Sequence, residues 1–146
     1  MIQEIPAAKL DEVVEFIRKH WTELSKRPQA KPEELDLASW RERWREKRVL
    51  AYRGSDAKIY ALLTLDKVEQ EIWLDHLFVE EAYRGQGIGI RFLQIVETFA
   101  KAWNSKRIIL RGREEQANYL PYFERRGYVF HCPMEAKGQI TVEKRL

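Results

Sequence analysis

Three glycines at alternate positions, Gly85, Gly87 and Gly89, follow Arg84 and open onto an amphipathic run over residues 88–103. Just ahead lie an apolar, aromatic-rich stretch, Ile72-Trp73-Leu74-Asp75-His76-Leu77-Phe78-Val79, and a short acidic turn, Glu80-Glu81. A strand that feeds a glycine turn at the start of a helix is suited to holding anionic phosphate. Its unpaired N–H groups and the positive end of the helix dipole both face the ligand. Glycine lets the backbone come close and adopt positive φ without a steric penalty. Two familiar phosphate loops do not fit. No Gly-Lys-Ser/Thr ending is present, as a P-loop requires. The dinucleotide fingerprint needs a third glycine where Ile90 stands, and an acidic residue ending a second strand, which residues 107–111 do not offer.

The flanking elements must position that turn. Leu10, Val13, Val14, Ile17 and Trp21 recur at helical spacing, predicting an amphipathic helix over residues 8–22. Residues 25–31, with Pro28, read as a loop, and Pro32 suits the first turn of a second helix carrying Leu37, Trp40 and Trp44. Residues 49–53 and 58–65 are strand-like around Gly54-Ser55-Asp56, and 66–70 read as a polar connection to the central strand. The three strands form an antiparallel meander. Ile88, Phe92, Ile95, Phe99 and Trp103 give the next helix one apolar side, and residues 107–111 return as a strand, implying a parallel crossover. A last helix is expected over 114–126, distorted by Pro121 and capped at Gly127, before closing strands at 128–132 and 140–142 around Lys137-Gly138. The sum is one α+β domain with a mixed, mostly antiparallel sheet flanked by helices.

Composition bounds the rest. A chain of 146 residues, 45% apolar and 34% charged, has the size and balance of one globular domain. The opening residues lack the features of a signal peptide, no apolar run approaches the span of a bilayer, and the single Cys132 suits a reducing compartment, so the cytoplasm is expected. The net charge of +3 is spread among acids, as in Arg41-Glu42-Arg43-Trp44-Arg45-Glu46-Lys47-Arg48, which reads as an ion-paired helix face. Neither nucleic acid nor membrane is expected as a partner. His20, His76, His131 and Cys132 lack metal-ligand spacing, and no Gly-x-Ser-x-Gly elbow occurs.

Arg84-x-x-Gly87-x-Gly89 after Leu77-Phe78-Val79 resembles the acyl-CoA-binding signature of the GNAT (Gcn5-related N-acetyltransferase) superfamily. The resemblance spans nearly the whole chain and is most specific over residues 59–128. It implies a sheet whose central strand splays from the next parallel strand, with acyl-CoA in the gap. Main-chain groups of Leu77, Phe78 and Val79 would pair with the pantetheine arm. N–H groups of Arg84, Gly85, Gln86, Gly87, Ile88 and Gly89 would hold the diphosphate, the Arg84 side chain also fixing the loop. The second matching segment is Leu120-Pro121-Tyr122-Phe123-Glu124-Arg125-Arg126-Gly127-Tyr128. Here the chain departs from the family. Phe123 stands where the general-acid tyrosine is usual, with Tyr122 one place earlier and Tyr119 one turn before Phe123. The family's asparagine falls on Gln116 by strict counting, with Asn118 nearby.

The family reaction is direct attack of an amine on the thioester, so acetyl-CoA is the implied cosubstrate, without metal. A small-molecule or peptide amine is the implied acceptor, and a homodimer is compatible with the aromatic residues before the sheet. The base is sought on the central strand, where strict alternation puts Glu71, Trp73, Asp75 and Leu77 on one face and Ile72, Leu74, His76 and Phe78 on the other. Asp75 is the first choice, and Glu71 acting through water the second. Asp75 is equally readable as a structural hydrogen-bond acceptor, and His76 as a packed residue. The Val79 N–H would polarise the thioester carbonyl. Tyr122 or Tyr119 would protonate the thiolate, or water would. The remaining alternative is an acyl-CoA-binding sensor that carries out no transfer.

Overall fold

The central element is β4 (Glu71–Val79), whose β-branched, aromatic and leucine side chains favour a pleated, half-buried setting. A computed structural model describes residues 1–20, 42, 47–113, 120–131 and 139–146. Expectations for Trp21, the loop at 25–31, the second helix with Leu37, Trp40 and Trp44, residues 114–119 with Gln116, Asn118 and Tyr119, Cys132, and the Lys137-Gly138 turn fall outside these residues.

Ahead of β4 come β1 (Ile2–Glu4), α1 (Leu10–Lys19), β2 (Arg48–Arg53) and β3 (Ile59–Val68). After it come α2 (Ile88–Ala102), β5 (Arg107–Arg113), α3 (Leu120–Glu124), β6 (Val129–His131) and β7 (Gln139–Arg145). All seven strands share one sheet in the order β1-β2-β3-β4-β5-β7-β6. β1 to β4 pair antiparallel in sequence order, β4 and β5 are parallel, and β7 returns between β5 and β6.

The polar segment expected at 66–70 is mostly strand. β3 runs to Val68, which faces Glu71, so the turn is only Glu69-Gln70, with Glu69 at φ +55°. In a two-residue hairpin, positive φ matches the strands' twist. Charge on Asp66 and Lys67 masked a strand whose outer end is solvated.

Two apolar layers sandwich the sheet. On one face Val13, Val14 and Ile17 of α1 bury against Val49, Leu62 and Phe78. On the other, Phe92, Leu93 and Val96 of α2 bury against Leu63, Leu74 and Ile108, joined by Phe123 and Tyr128. The buried stripe of α2 is Ile88, Phe92, Leu93, Val96 and Ala100; Ile95, Phe99 and Trp103 flank it, partly exposed. Large aromatic rings at the expected positions drew the stripe toward themselves, whereas small Ala100 is fully buried.

Strict alternation fails at one place in β4. Thr64 faces His76 but Leu65 faces Leu74, so Asp75 is an extra residue in β4, a β-bulge. Beyond it the phase reverses. Leu77 and Val79 pack on the α2 layer with Ile72 and Leu74, while Phe78 joins the α1 layer. The expected face sharing of Leu77 with Asp75, and of Phe78 with Leu74, is therefore corrected: each inserted residue inverts everything after it.

Candidate active site

Parallel pairing of β4 with β5 runs from Glu71–Arg107 to Leu74–Leu110 and stops there. From Asp75 onward β4 keeps its β3 partner, while β5 continues beside β7 to Arg113. The bulge sits where the strands part. The β5-side edge of residues 75–79 thus lacks a ladder partner among the described residues, and a short 3-10 turn, Glu81–Tyr83, joins it to the glycine turn.

That turn is shaped to receive an anion. Gly85 and Gly87 have φ of +79° and +80°, and a side-chain carbon built on either would meet nothing within 4 Å. Gly87 is the N-cap of α2 and, as glycine, makes no side-chain cap; no acidic residue lies in the helix's first turn. The first helical bond there runs from the Arg91 N–H to the Gly87 carbonyl at 3.1 Å. The N–H groups of Ile88, Gly89 and Ile90 precede it, as the orphan donors of any helix start. The Arg84 Nε donates to the Val79 carbonyl at 2.8 Å, and its guanidinium lies 5.4 Å from the Phe78 ring centroid. Arg84 therefore ties the end of β4 to the turn.

Gly89 is different: its missing Cβ would stand 3.2 Å from the Tyr122 hydroxyl. The α3 segment thus reaches the first turn of α2 through Tyr122. That hydroxyl is buried and has no hydrogen-bond partner among the described residues. Burial raises its pKa from the usual tyrosine value, against the lowering influence of the Arg126 guanidinium. Phe123, the next residue, is 2% exposed and meets Tyr128 edge-on at 5.3 Å. Successive residues here face differently, as helical geometry demands: Tyr122 lies toward the turn and Phe123 toward the core. Gly127 closes the segment at φ +88°.

Asp75 and Glu71 are not brought together. Lys47 Nζ donates to Asp75 Oδ2 at 2.5 Å, both side chains about a quarter exposed. Glu71 lies at the closed end of the fork, bonded to Arg107, whose other nitrogen donates to Glu143 at 3.0 Å. The two carboxylates stand four positions apart on β4, roughly 13 Å of strand. His76 is half-buried, its Nδ1 2.9 Å from the Thr64 hydroxyl, which also accepts the His76 N–H at 3.1 Å.

Lys47 and Thr64 were missed in the sequence. Lys47 sat in a run that reads as a solvated charged face, and Thr64 inside an apolar strand.

A fork between two parallel strands, closed by an ion-paired base and ending at a glycine turn under a helix, is the acyl-CoA-type frame of the acetyltransferase (GNAT) family. Residues 11–128 match that family, and the chain belongs to it. Over 82 residues it is 28% identical to the spermine/spermidine N(1)-acetyltransferase of Bacillus subtilis, an alignment covering 56% of this chain and 54% of that protein. The chain thus aligns with about half the length of this curated relative. The fold matches a GNAT-family acetyltransferase of Staphylococcus aureus with a TM-score of 0.77 at 17% identity, covering 100% and 98% of the two chains. It also matches the PaiA N-acetyltransferase of Thermoplasma acidophilum, solved in complex with coenzyme A, with a TM-score of 0.74 at 15% identity over 100% and 99%.

Proposed function

We propose that the protein transfers the acetyl group of acetyl-CoA to a primary amine by direct attack. The observation that carries this reading is the end of β4–β5 pairing at Leu74–Leu110, ahead of an open glycine turn. The bound thioester supplies an activated acyl carbon and a thiolate leaving group. Leu77 and Val79 offer main-chain groups along the free edge to its pantetheine arm, while the main-chain groups of Phe78, between them, turn to Leu62 of β3. The N–H groups of residues 85–89 receive its diphosphate, with glycine at 85 and 87 keeping the cradle open, while the Arg84 N–H is held by the Glu81 carbonyl at 3.2 Å. The alignment to a spermine/spermidine acetyltransferase supports an amine as acceptor.

Asp75 is the general base. The bulge sets it at the mouth of the fork, and Lys47 holds its carboxylate in place. A base must reach the proton directly or through one water. Glu71, paired with Arg107 at the closed end, supports the scaffold in this reading. The Val79 N–H polarises the carbonyl. Tyr122, kept protonated by burial, gives its proton to the departing thiolate. Thiol release from acetyl-CoA with an amine panel, run beside acetyl-CoA calorimetry, tests the proposal. Turnover with primary amines is expected; binding without thiol release to any amine would leave a sensor instead.

A further inference from the structure

The cavity at the far end of β4 shares Phe78 and Arg84 with the cofactor side described above, but its acidic residue has no part in that chemistry. About 300 Å³ in volume, it is lined by His20, Tyr60, Phe78, Glu80, Tyr83 and Arg84, among others. Glu80 is its acidic centre, its side chain 16% exposed. One carboxylate oxygen, Oε1, receives Lys19 Nζ at 3.1 Å and lies 3.3 Å from His20 Nε2. The other, Oε2, is buried and has no hydrogen-bond partner among the described residues. A buried carboxylate oxygen left bare is costly, and a cationic donor relieves that cost.

The walls suit a cation as well. Tyr60 and Tyr83 stack at 4.2 Å, and the His20 ring lies 4.5 Å from Phe78. Aromatic faces attract ammonium groups. Arg84, the lining residue of opposite sign to Glu80 and Glu81, is directed to the Val79 carbonyl and the Phe78 face. The backbone of Glu80 is fixed, its N–H bonded to the Tyr60 carbonyl at 2.9 Å and its own carbonyl accepting the Tyr83 N–H at 2.8 Å. The site is therefore built rather than incidental.

Its place relative to Asp75 gives it meaning. Past the bulge, His76 pairs with Thr64 and Phe78 packs on the α1 layer; Glu80 meets Lys19 and His20 at the end of α1. Asp75 and Glu80, the latter just past the end of β4, stand five positions apart, at most roughly 16–17 Å of extended chain, a gap that a flexible methylene chain and two side chains span. We propose that Glu80 receives the distal ammonium of a diamine or polyamine acceptor whose other amine reacts beside Asp75. This assignment rests on the acetyl-transfer reading and adds what selects the acceptor.

The test uses straight-chain monoamines and α,ω-diamines of matched length, with thiol release from acetyl-CoA as readout. The wild-type protein is expected to favour diamines in kcat/KM by about tenfold or more, the scale of one charge-assisted hydrogen bond. Glu80→Gln should bring diamines down to the monoamine value while acetyl-CoA affinity, measured by calorimetry, stays within about twofold. Lys19→Met, on an exposed side chain, removes the competing cation and should widen the diamine preference. Equal rates for matched amines in the wild type, or a preference that survives Glu80→Gln with acetyl-CoA binding intact, would overturn the assignment. Calorimetry of diamines in the presence of CoA reads the subsite without turnover. Diamine binding lost in Glu80→Gln upholds the subsite even where no thiol is released and the transfer reading falls. No diamine binding and no diamine preference removes the subsite alone.

Discussion

Lys47 Nζ lies 2.5 Å from Asp75 Oδ2, joining the residue just before β2 to the one extra residue of β4. The pair is partly exposed, so its worth to folding is small, below about 1 kcal/mol. Its consequence is positional: the carboxylate is held at the mouth of the fork. Asp75→Asn is expected to lower kcat on amines about 100-fold or more, the usual scale for a lost general base, and to flatten the pH–rate profile. Acetyl-CoA affinity should be unaffected. A profile matching the wild type in shape and height would remove Asp75 from the chemistry.

The cradle makes a separate claim. Gly87 caps α2 at φ +80° in open space. Gly87→Ala forces an L side chain into left-handed backbone, costing about 1–2 kcal/mol, and sets a methyl where the diphosphate would lie. Urea unfolding should show that loss. Acetyl-CoA Kd should rise about tenfold or more, equivalent to 1.4 kcal/mol. An unchanged Kd would place the diphosphate elsewhere.

Tyr122 and Phe123 separate two roles that neighbouring residues are often assumed to share. Tyr122→Phe is expected to reduce kcat about 10- to 100-fold, within the range of acid catalysis, with little change in KM for acetyl-CoA. The opposite split, a raised KM with kcat intact, would make the hydroxyl a cofactor contact. Phe123→Tyr restores a tyrosine at the family's usual position but brings a hydroxyl into the core. It should destabilise the protein by about 1–3 kcal/mol, read from the shift in urea midpoint.

Burial raises the pKa of Tyr128, and Glu97 raises it further; burial also raises that of Tyr122. A group whose folded pKa lies above its unfolded value favours the fold fully below that unfolded value, near 10 for tyrosine, and ceases to do so as pH rises through the folded value. This contribution to stability should therefore be lost only on the alkaline side of about pH 10. A spectrophotometric titration of the native protein should show late-ionising tyrosines, with Tyr128→Phe losing one of them. Full titration of all tyrosines near pH 10 in native protein would contradict the buried setting.

Strand, turn and helix around residues 72–103 were legible because periodicity and glycine spacing are local, and the local physics is obeyed: φ is positive at Gly85, Gly87 and Gly127. The bulge was not, since alternation counts assume one residue per partner and only the register against β3 reveals Asp75 as surplus. That single residue misassigned the faces of Leu77 and Phe78. The Lys47–Asp75 contact joins positions 28 apart, and Lys19 meets Glu80 across 61; neither separation leaves a local pattern. Tyr122 was recognisable as a displaced tyrosine, but its approach to Gly89 depends on how α3 docks on α2.

Below the point where β4 and β5 part, Arg107 grips both Glu71 and Glu143, bolting β4 to β5 and β7 at the base. Above that point β4 and β5 already stand unpaired, a slot between two strands that their other neighbours, β3 and β7, keep in the sheet. A ligand entering such a slot meets backbone already spaced to receive it. Little of the interaction energy is diverted into prising the sheet apart.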